Sequence, residues 1–411
     1  MYYTRDFAEK RTYCIHKQKP DILSVNNKPI IALTGATGFL GSHLMAAMLT
    51  GGYRIIILGR PKKEETLQQR IFKLLRWFGI EKLAGQLVFA ETDLLKPMLG
   101  IPETKYKKLC DITQQIIHCA SDTSFAERKR DLVFKSNVAS LESILEFAAN
   151  SNVDYFHYIS TAYVAGANVT LCRESLPSST DFLNVYEETK AMAENIIAGF
   201  CKKNSMHFTI IRPSIVYGDS TSGRSLRFNA LYFPLQSIKY IRDIYLNDIK
   251  NNNGKKSDKY EIFIDGKGYL FLPLRIYLPK EGALNLIPVD YFVNAALKII
   301  ANPSPGSIYH LTNTFHTKLE TISKYNEQLM MIRGVEIIHG RSADNVLRNP
   351  AEELFDRFIE PYRQYLSDNR VFDRTNTDLA TDNLYPPDFS YEIFKNCMEY
   401  AISVNWGESI F

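Results

Sequence analysis

IIALTGATGFLG, Ile30 to Gly41, is the stretch that decides the fold. Residues 30–33 form a short run of apolar residues that predicts a strand. Gly35, Gly38 and Gly41 follow at three-residue spacing, and an apolar helix then runs to about Thr50. Glycine permits the tight turn and lets the backbone approach a pyrophosphate, whose charge then sits at the helix N-terminus. RIIIL, residues 54–58, supplies a second strand, so the stretch opens a βαβ unit. Both strands are continuously apolar, as expected where helices cover both faces of a parallel sheet. A glycine triplet alone says little, but between a strand and its helix it predicts dinucleotide binding through Gly35, Thr37, Gly38, Phe39, Leu40 and Gly41.

Further strands are expected at 87–90, 115–119, 155–160 and 208–212, with helices between them, notably over 127–149 and 187–203. This alternation predicts an α/β fold: a Rossmann-type, doubly wound parallel sheet with ligands at the carboxyl ends of its strands. After Gly218 the rhythm breaks into an aromatic-rich stretch with a polar NNNGKKSDK segment, read as a flexible excursion, and the apolar FLPLRIYLP. A helix over 289–301 and a strand over 307–312 return to the sheet. The expected organisation is an N-terminal extension (1–28), an NADP-binding Rossmann domain (29–218 and 286–313) and a smaller mixed substrate-binding cap (219–285 and 314–411).

The wider composition narrows the class of protein. Hydrophobic residues make up 45% and charged residues 23%, which suits a folded, core-forming chain of 411 residues. A net charge of +4 offers no broad basic face, so a nucleic-acid partner is not expected. The cysteines, 14, 110, 119, 172, 201 and 397, form no CxxC pair and no zinc spacing, which predicts neither metal nor disulfide framework and fits reduced thiols in the cytoplasm. The polar N-terminus lacks the apolar centre of a secretory signal, and no uncharged run of about twenty residues suits a membrane span.

The end of the second strand bears on which dinucleotide is bound. A carboxylate there would hydrogen-bond the ribose 2′-hydroxyl of NAD; this chain has Leu58-Gly59-Arg60, with Lys62, Lys63 and Arg70 close behind. Arginine meets phosphate through several directed donors, so Arg60 and Arg70 predict NADPH, the alternative being a solvated basic turn. Asp93-Leu94 follows the third strand, where a carboxylate can accept from the adenine amino group. HCAS, residues 118–121, follows the fourth: Cys119, Ala120 and Ser121 would let the backbone run beside the cofactor, with His118 read as a buried structural histidine.

VYEETKAMAE, residues 185–194, places Tyr186 and Lys190 four apart. On a helix they share one face, and a neighbouring ammonium favours phenolate, drawing the phenol down from its usual pKa of about 10. Such a pair occurs by chance on many exposed helices, so the surrounding residues decide its meaning.

With these residues assembled, the chain resembles the extended short-chain dehydrogenase/reductase superfamily. TGATGFLG, the strand-end Asp93, HCAS, ISTAYVAG, VYEETK and IRPSIVYG occur in its order over about residues 29–312. GFLGSHL, EETLQQRIFKLL, DLLKPMLGI, ISTAYV and NLIPVDYF are similar to the thioester reductase and fatty acyl-CoA reductase branch. The resemblance implies Tyr186 as proton donor, Lys190 as the cation that lowers its pKa and holds the nicotinamide ribose, and Thr161 as a hydrogen bond to the substrate oxygen. It also implies cofactor contacts at Pro213 and Ser214 of IRPSIVYG and a supporting role for Asn137, counted with the cofactor residues. Thr189 stands where the family often has serine. The implied reaction is NADPH-dependent reduction of an acyl thioester, on coenzyme A or a carrier protein, to aldehyde or alcohol, by a monomer or homodimer. An NAD-dependent nucleotide-sugar epimerase or dehydratase, an alcohol dehydrogenase and a non-catalytic NADPH-binding scaffold stay open as alternatives. Lys105, Lys107 and Lys108 are candidates for an acidic carrier, and Arg227 and Arg275 for substrate.

Overall fold

The computed structural model describes residues 28–411 apart from 63, 82–84, 152, 279, 341–345 and 411. The expected N-terminal extension, Lys28 aside, lies outside the described residues, as do Cys14 and Lys63. Seven strands form one sheet: β1 (Ile30–Thr34), β2 (Arg54–Gly59), β3 (Leu87–Glu91), β4 (Gln115–His118), β5 (Tyr155–Ile159), β6 (His207–Pro213) and β7 (Ser307–Leu311), in the order β7-β6-β5-β4-β1-β2-β3. The β1–β2, β1–β4, β2–β3 and β6–β7 pairs are all parallel. The order reverses at β1, which lies between β2 and β4; that is the switch point where a doubly wound sheet opens a crevice.

Packing divides the chain into two compact units, one comprising residues up to Ala120 plus Ser140–Phe156, the other Ser121–Ala139 plus His157–Phe411. In the first, Ile31, Leu33, Ile56, Ile57, Ile116 and Ile117 have no exposed surface, which explains why the strands are apolar without alternation. Helix α1 (Phe39–Thr50) is buried over most of its length, whereas α2 (Leu67–Trp77) buries only Leu67, Ile71, Leu74 and Leu75. Those positions share one face at helical spacing. Thr66 and Gln69 close a capping box at the start of α2. Helix α3 (Glu103–Ile112) precedes β4.

The long helix expected over 127–149 is broken. A short α4 (Arg130–Phe134) passes into a π-helical turn, Lys135–Ala139, before α5 (Leu141–Asn150) resumes. The break is where the chain leaves one unit for the other, and the turn lets Asn137 bond across to its neighbours instead of continuing the helical face.

The second unit carries β6, β7 and helix α6 (Val185–Lys203). It also contains α7 (Tyr232–Asn251), α8 (Val289–Ala301) and a smaller sheet in which Leu270–Leu278 lies between Ile332–His339 and Phe263–Ile264. Residues 271–278 of FLPLRIYLP lie in the middle strand, with Leu270, Leu272, Leu274 and Ile276 turned to the core at period two. Phe228 and Tyr232 join that core. The polar stretch after α7 is folded back rather than free: the Asp248 carboxylate accepts from the amides of Lys256 and Ser257 and from the Ser257 hydroxyl.

Candidate active site

In the first unit the glycine loop is built by close backbone approach. Gly35 has φ +74°, and a Cβ there would stand 2.6 Å from the Ala120 nitrogen; one on Gly41 would stand 2.3 Å from the Gly35 oxygen. The Gly38 amide donates to the Gly35 oxygen at 2.8 Å, and Gly38 caps α1 with no side-chain acceptor and no acidic residue in the first turn. The first-turn amides and the positive end of the helix dipole are thus left for an anion. Thr37, Phe39 and Leu40 are half-buried along the loop.

Thr34, at the end of β1, was not distinguished in the sequence beyond being the one hydroxyl in an apolar strand. Its Oγ1 accepts from the amides of both Cys119 and Ala120 at 3.2 Å and lies 2.8 Å from His118 Nδ1. Having accepted twice, the hydroxyl gives its own proton to Nδ1, which fixes the buried His118 as the Nε2–H tautomer. Thr34 thereby shapes the small-residue path after β4.

At the end of β2, Arg60 is exposed, and Arg70 Nη1 donates to the Arg60 carbonyl at 2.7 Å, which ties the Arg70 guanidinium to the backbone at the strand end. Asp93 accepts from the Leu95 amide at 3.1 Å and pairs with Lys96 at 3.7 Å, which leaves its second oxygen on an exposed ion pair; Leu94 is half-buried beside it. Thr92, whose amide donates to Gly59, has a buried hydroxyl without a protein partner and is a polar group the sequence did not single out.

The second unit holds the proposed chemical groups. Asn184 caps α6 by accepting from the Glu187 amide. One turn in, Lys190 is buried, its Nζ donating to the Ile159 carbonyl at 2.6 Å and lying 4.1 Å from the Tyr158 ring centre. Tyr186 is half-buried, its ring centre 5.8 Å from that of Phe125. Thr161 lies two residues beyond Ile159 and accepts the Tyr163 amide only at 3.4 Å, while Ser160 and Ser214 have buried hydroxyls with no protein partner. Pro213 ends β6 opposite Leu311. Asn137 accepts from Ser121 Oγ and the Asp122 amide and donates to the Asp122 carbonyl and Thr189 Oγ1. Its carboxamide is thus engaged on all sides within the protein. Asn137 positions Ser121 and, through Thr189, the Tyr186 carbonyl that Thr189 bonds.

The first turn of α6 is held from far along the chain. Arg370 donates to Glu187 at 3.1 Å and to Asp368 at 2.6 Å and lies over the Tyr163 ring, and the Tyr365 hydroxyl donates to Glu187 at 2.9 Å. Burial pushes the Glu187 carboxyl up, and the Arg370 guanidinium and the two hydrogen bonds work against it. Deeper along the helix, Glu194 takes a two-pronged bond from Arg212, and both are buried. Arg212 Nη1 also donates to His310 Nε2, so His310 carries its proton on Nδ1, toward the Asp373 carbonyl. Burial and the adjacent guanidinium hold His310 neutral, down at about 3.

Most of the other residues suggested as contacts have partners of their own. Arg275 is engaged by the fully buried Glu352, Lys107 by Glu103, and Lys105 by the Phe89 carbonyl, whereas Lys108 and Arg227 are exposed. Among the described residues there is no cluster of three or more His, Cys, Asp or Glu placed to hold a metal, and no helix long and apolar enough to cross a membrane.

A switch-point glycine cradle with a Tyr/Lys helix defines a dinucleotide-binding protein of the extended short-chain dehydrogenase/reductase kind. Residues 33–296 match the model of the male sterility protein family, a nicotinamide-dinucleotide-binding family, and the chain belongs to it, within the thioester reductase and fatty acyl-CoA reductase branch. It is 27% identical over 333 residues to fatty acyl-CoA reductase 1 of Mus musculus, covering 70% of this chain and 59% of that protein; the chain thus spans less than two thirds of that relative. In fold it is similar to the terminal R domain of the myxalamid biosynthetic pathway (TM-score 0.71, 21% identity, 92% of this chain and 91% of that one). It is similar too to a thiolation-reductase di-domain of an archaeal non-ribosomal peptide synthetase (TM-score 0.65, 18% identity, 92% and 91%).

Proposed function

We propose that the protein reduces an acyl thioester, presented on coenzyme A or a carrier protein, to the aldehyde or alcohol at the expense of NADPH. The observation that carries this reading is Lys190, buried and tied to the Ile159 carbonyl one helical turn from Tyr186, with Thr161 two residues beyond that carbonyl. The names of the fatty acyl-CoA reductase and reductase-domain relatives support the substrate class.

The glycine cradle, which a single added Cβ would fill, fits a dinucleotide pyrophosphate, and the exposed Arg60, with Arg70 bonded to its carbonyl, fits a 2′-phosphate. Held there, a reduced nicotinamide would supply the hydride for a thioester carbonyl carbon. Negative charge then grows on the substrate oxygen. Thr161 donates a hydrogen bond to it and Tyr186 gives it a proton, which the Lys190 cation eases by stabilising the phenolate left behind. The resulting hemithioacetal breaks its C–S bond: the hydroxyl proton is lost as the carbonyl re-forms, the thiolate leaves and takes up a proton, and the aldehyde is released. With a second NADPH bound, the aldehyde oxygen would meet the same groups, Thr161 donating a hydrogen bond and Tyr186 the proton, and the alcohol would be released. The compartment in this reading is the cytoplasm.

The test follows loss of reduced-nicotinamide absorbance with one acyl group offered on coenzyme A, on a carrier protein and as free aldehyde, with NADPH and NADH in parallel. Thioester-dependent oxidation of NADPH is expected. Turnover only of a sugar nucleotide would overturn the reading.

A further inference from the structure

A run of six aromatic rings leads from Tyr186 to solvent. Phe125 lies 5.8 Å from Tyr186 and 5.7 Å from Tyr362; Tyr362 lies 5.5 Å from Phe233; Phe358 lies 6.5 Å from Phe233 and 6.0 Å from Tyr240. Tyr240, at the far end, is 55% exposed, and the other five are half-buried.

Phe125 packs on the edge of the core cluster around Tyr163 and Tyr365, whereas Tyr362, Phe233, Phe358 and Tyr240 stand outside the apolar core. Phe233 and Tyr240 are seven residues apart on one face of α7, whereas Tyr232, Leu235, Ile238 and Ile241 of the same helix point into the core. On the helix Pro350–Ile359, Phe355 and Ile359 point inward and Phe358 outward. The sequence could not separate Phe233 and Tyr240 from Phe228 and Tyr232, since all four are aromatics in one short stretch; the structure sends the second pair inward and leaves the first on this strip. Charged groups on the neighbouring surface are engaged with one another, Lys239 and Arg242 with Asp243, Arg363 with Asp356, so they do not interrupt it. Tyr362, the central ring, is half-buried between Phe125 and Phe233.

A contiguous, half-exposed aromatic strip that ends on a reacting group is suited to an apolar ligand lying along it. We propose that the strip binds the acyl chain, an extended saturated chain whose carbonyl lies at Tyr186 and whose methylenes run over Phe125, Tyr362, Phe233 and Phe358 toward Tyr240. The inference rests on the reading of Tyr186 as the group that meets the thioester carbonyl. It assigns an order: Phe125 is met by every chain, Phe358 only by long ones.

The experiment measures kcat/KM for saturated acyl-CoA substrates from butanoyl to palmitoyl, in the wild type and in Phe125→Ala and Phe358→Ala. In the wild type kcat/KM rises about fourfold per added methylene until the strip is covered. Phe358→Ala lowers the palmitoyl value at least tenfold more than the butanoyl value, and Phe125→Ala lowers both alike. A chain-length-independent kcat/KM, or equal losses for both substrates in Phe358→Ala, would overturn the assignment. A calorimetric titration of palmitoyl-CoA against butanoyl-CoA, without reductant, separates this inference from the reaction on which it rests. If no thioester is reduced yet palmitoyl-CoA binds more tightly and Phe358→Ala abolishes the difference, the reductase reading fails and the strip stands. If the two bind alike, the strip fails whatever the turnover.

Discussion

Tyr186→Phe removes one oxygen from a half-buried ring and leaves its contact with Phe125 in place. If that oxygen is the acid, turnover of thioester falls about 10²- to 10⁴-fold while the thermal midpoint stays within a degree or so of the wild type. Steady-state kinetics and a melting curve on the same preparation check both halves. Gly41→Ala acts by bulk: its Cβ would meet the Gly35 oxygen at 2.3 Å, so the loop must open. A loss of about 1–3 kcal/mol of stability and of NADPH binding is expected, read by denaturant titration and by nicotinamide fluorescence. The glycine turn was legible because its close backbone approach needs a particular residue type at a fixed local spacing. Thr34 and Arg370 were not. Thr34 acts on amides 85 and 86 residues away, and Arg370 on a carboxylate 183 away, and no local pattern carries such a pairing.

At the scale of elements, the sheet was readable to within a residue at most strand ends because burial on both faces leaves an unbroken apolar signature. The helix expected over 127–149 was not, since its apolar spacing continues through the π turn that serves Asn137. Two elements carry predictions. The turn after β2 leaves the Arg60 side chain exposed, so Arg60→Ala should weaken NADPH about 10- to 100-fold, the worth of one charged hydrogen bond, and leave NADH little changed. Fluorescence titration with each nucleotide decides it. The first turn of α6 is held by Arg370, and Arg370→Met leaves Glu187 buried without its guanidinium partner. A destabilisation of about 3–5 kcal/mol is expected, and adding Glu187→Gln should recover part of it because the stranded charge is gone. Urea midpoints of the single and double variants test this.

For the whole molecule, acidity acts through two histidines in the second unit. His157 is buried beside Thr209 and His310 beside Arg212, and burial holds each at about 3, well below the ordinary 6.5. Both are neutral in the fold. Below about pH 6.5 the unfolded chain takes up protons that the folded chain refuses, so stability is full above that pH and falls as pH drops toward 3. The slope is about 1.4 kcal/mol per pH unit for each histidine. Denaturant midpoints between pH 7 and pH 5 should fall in the wild type, and fall less steeply in His157→Gln.

The tie from Arg370 and Tyr365 to Glu187 has a consequence for engineering. Exchanging the last fifty residues with those of a relative, in order to graft a different chain-length preference, would cut the moorings of the helix that bears Tyr186 and Lys190. A functional chimera must therefore transplant position 187 together with the tail, or choose donors that already share the acid–base partnership.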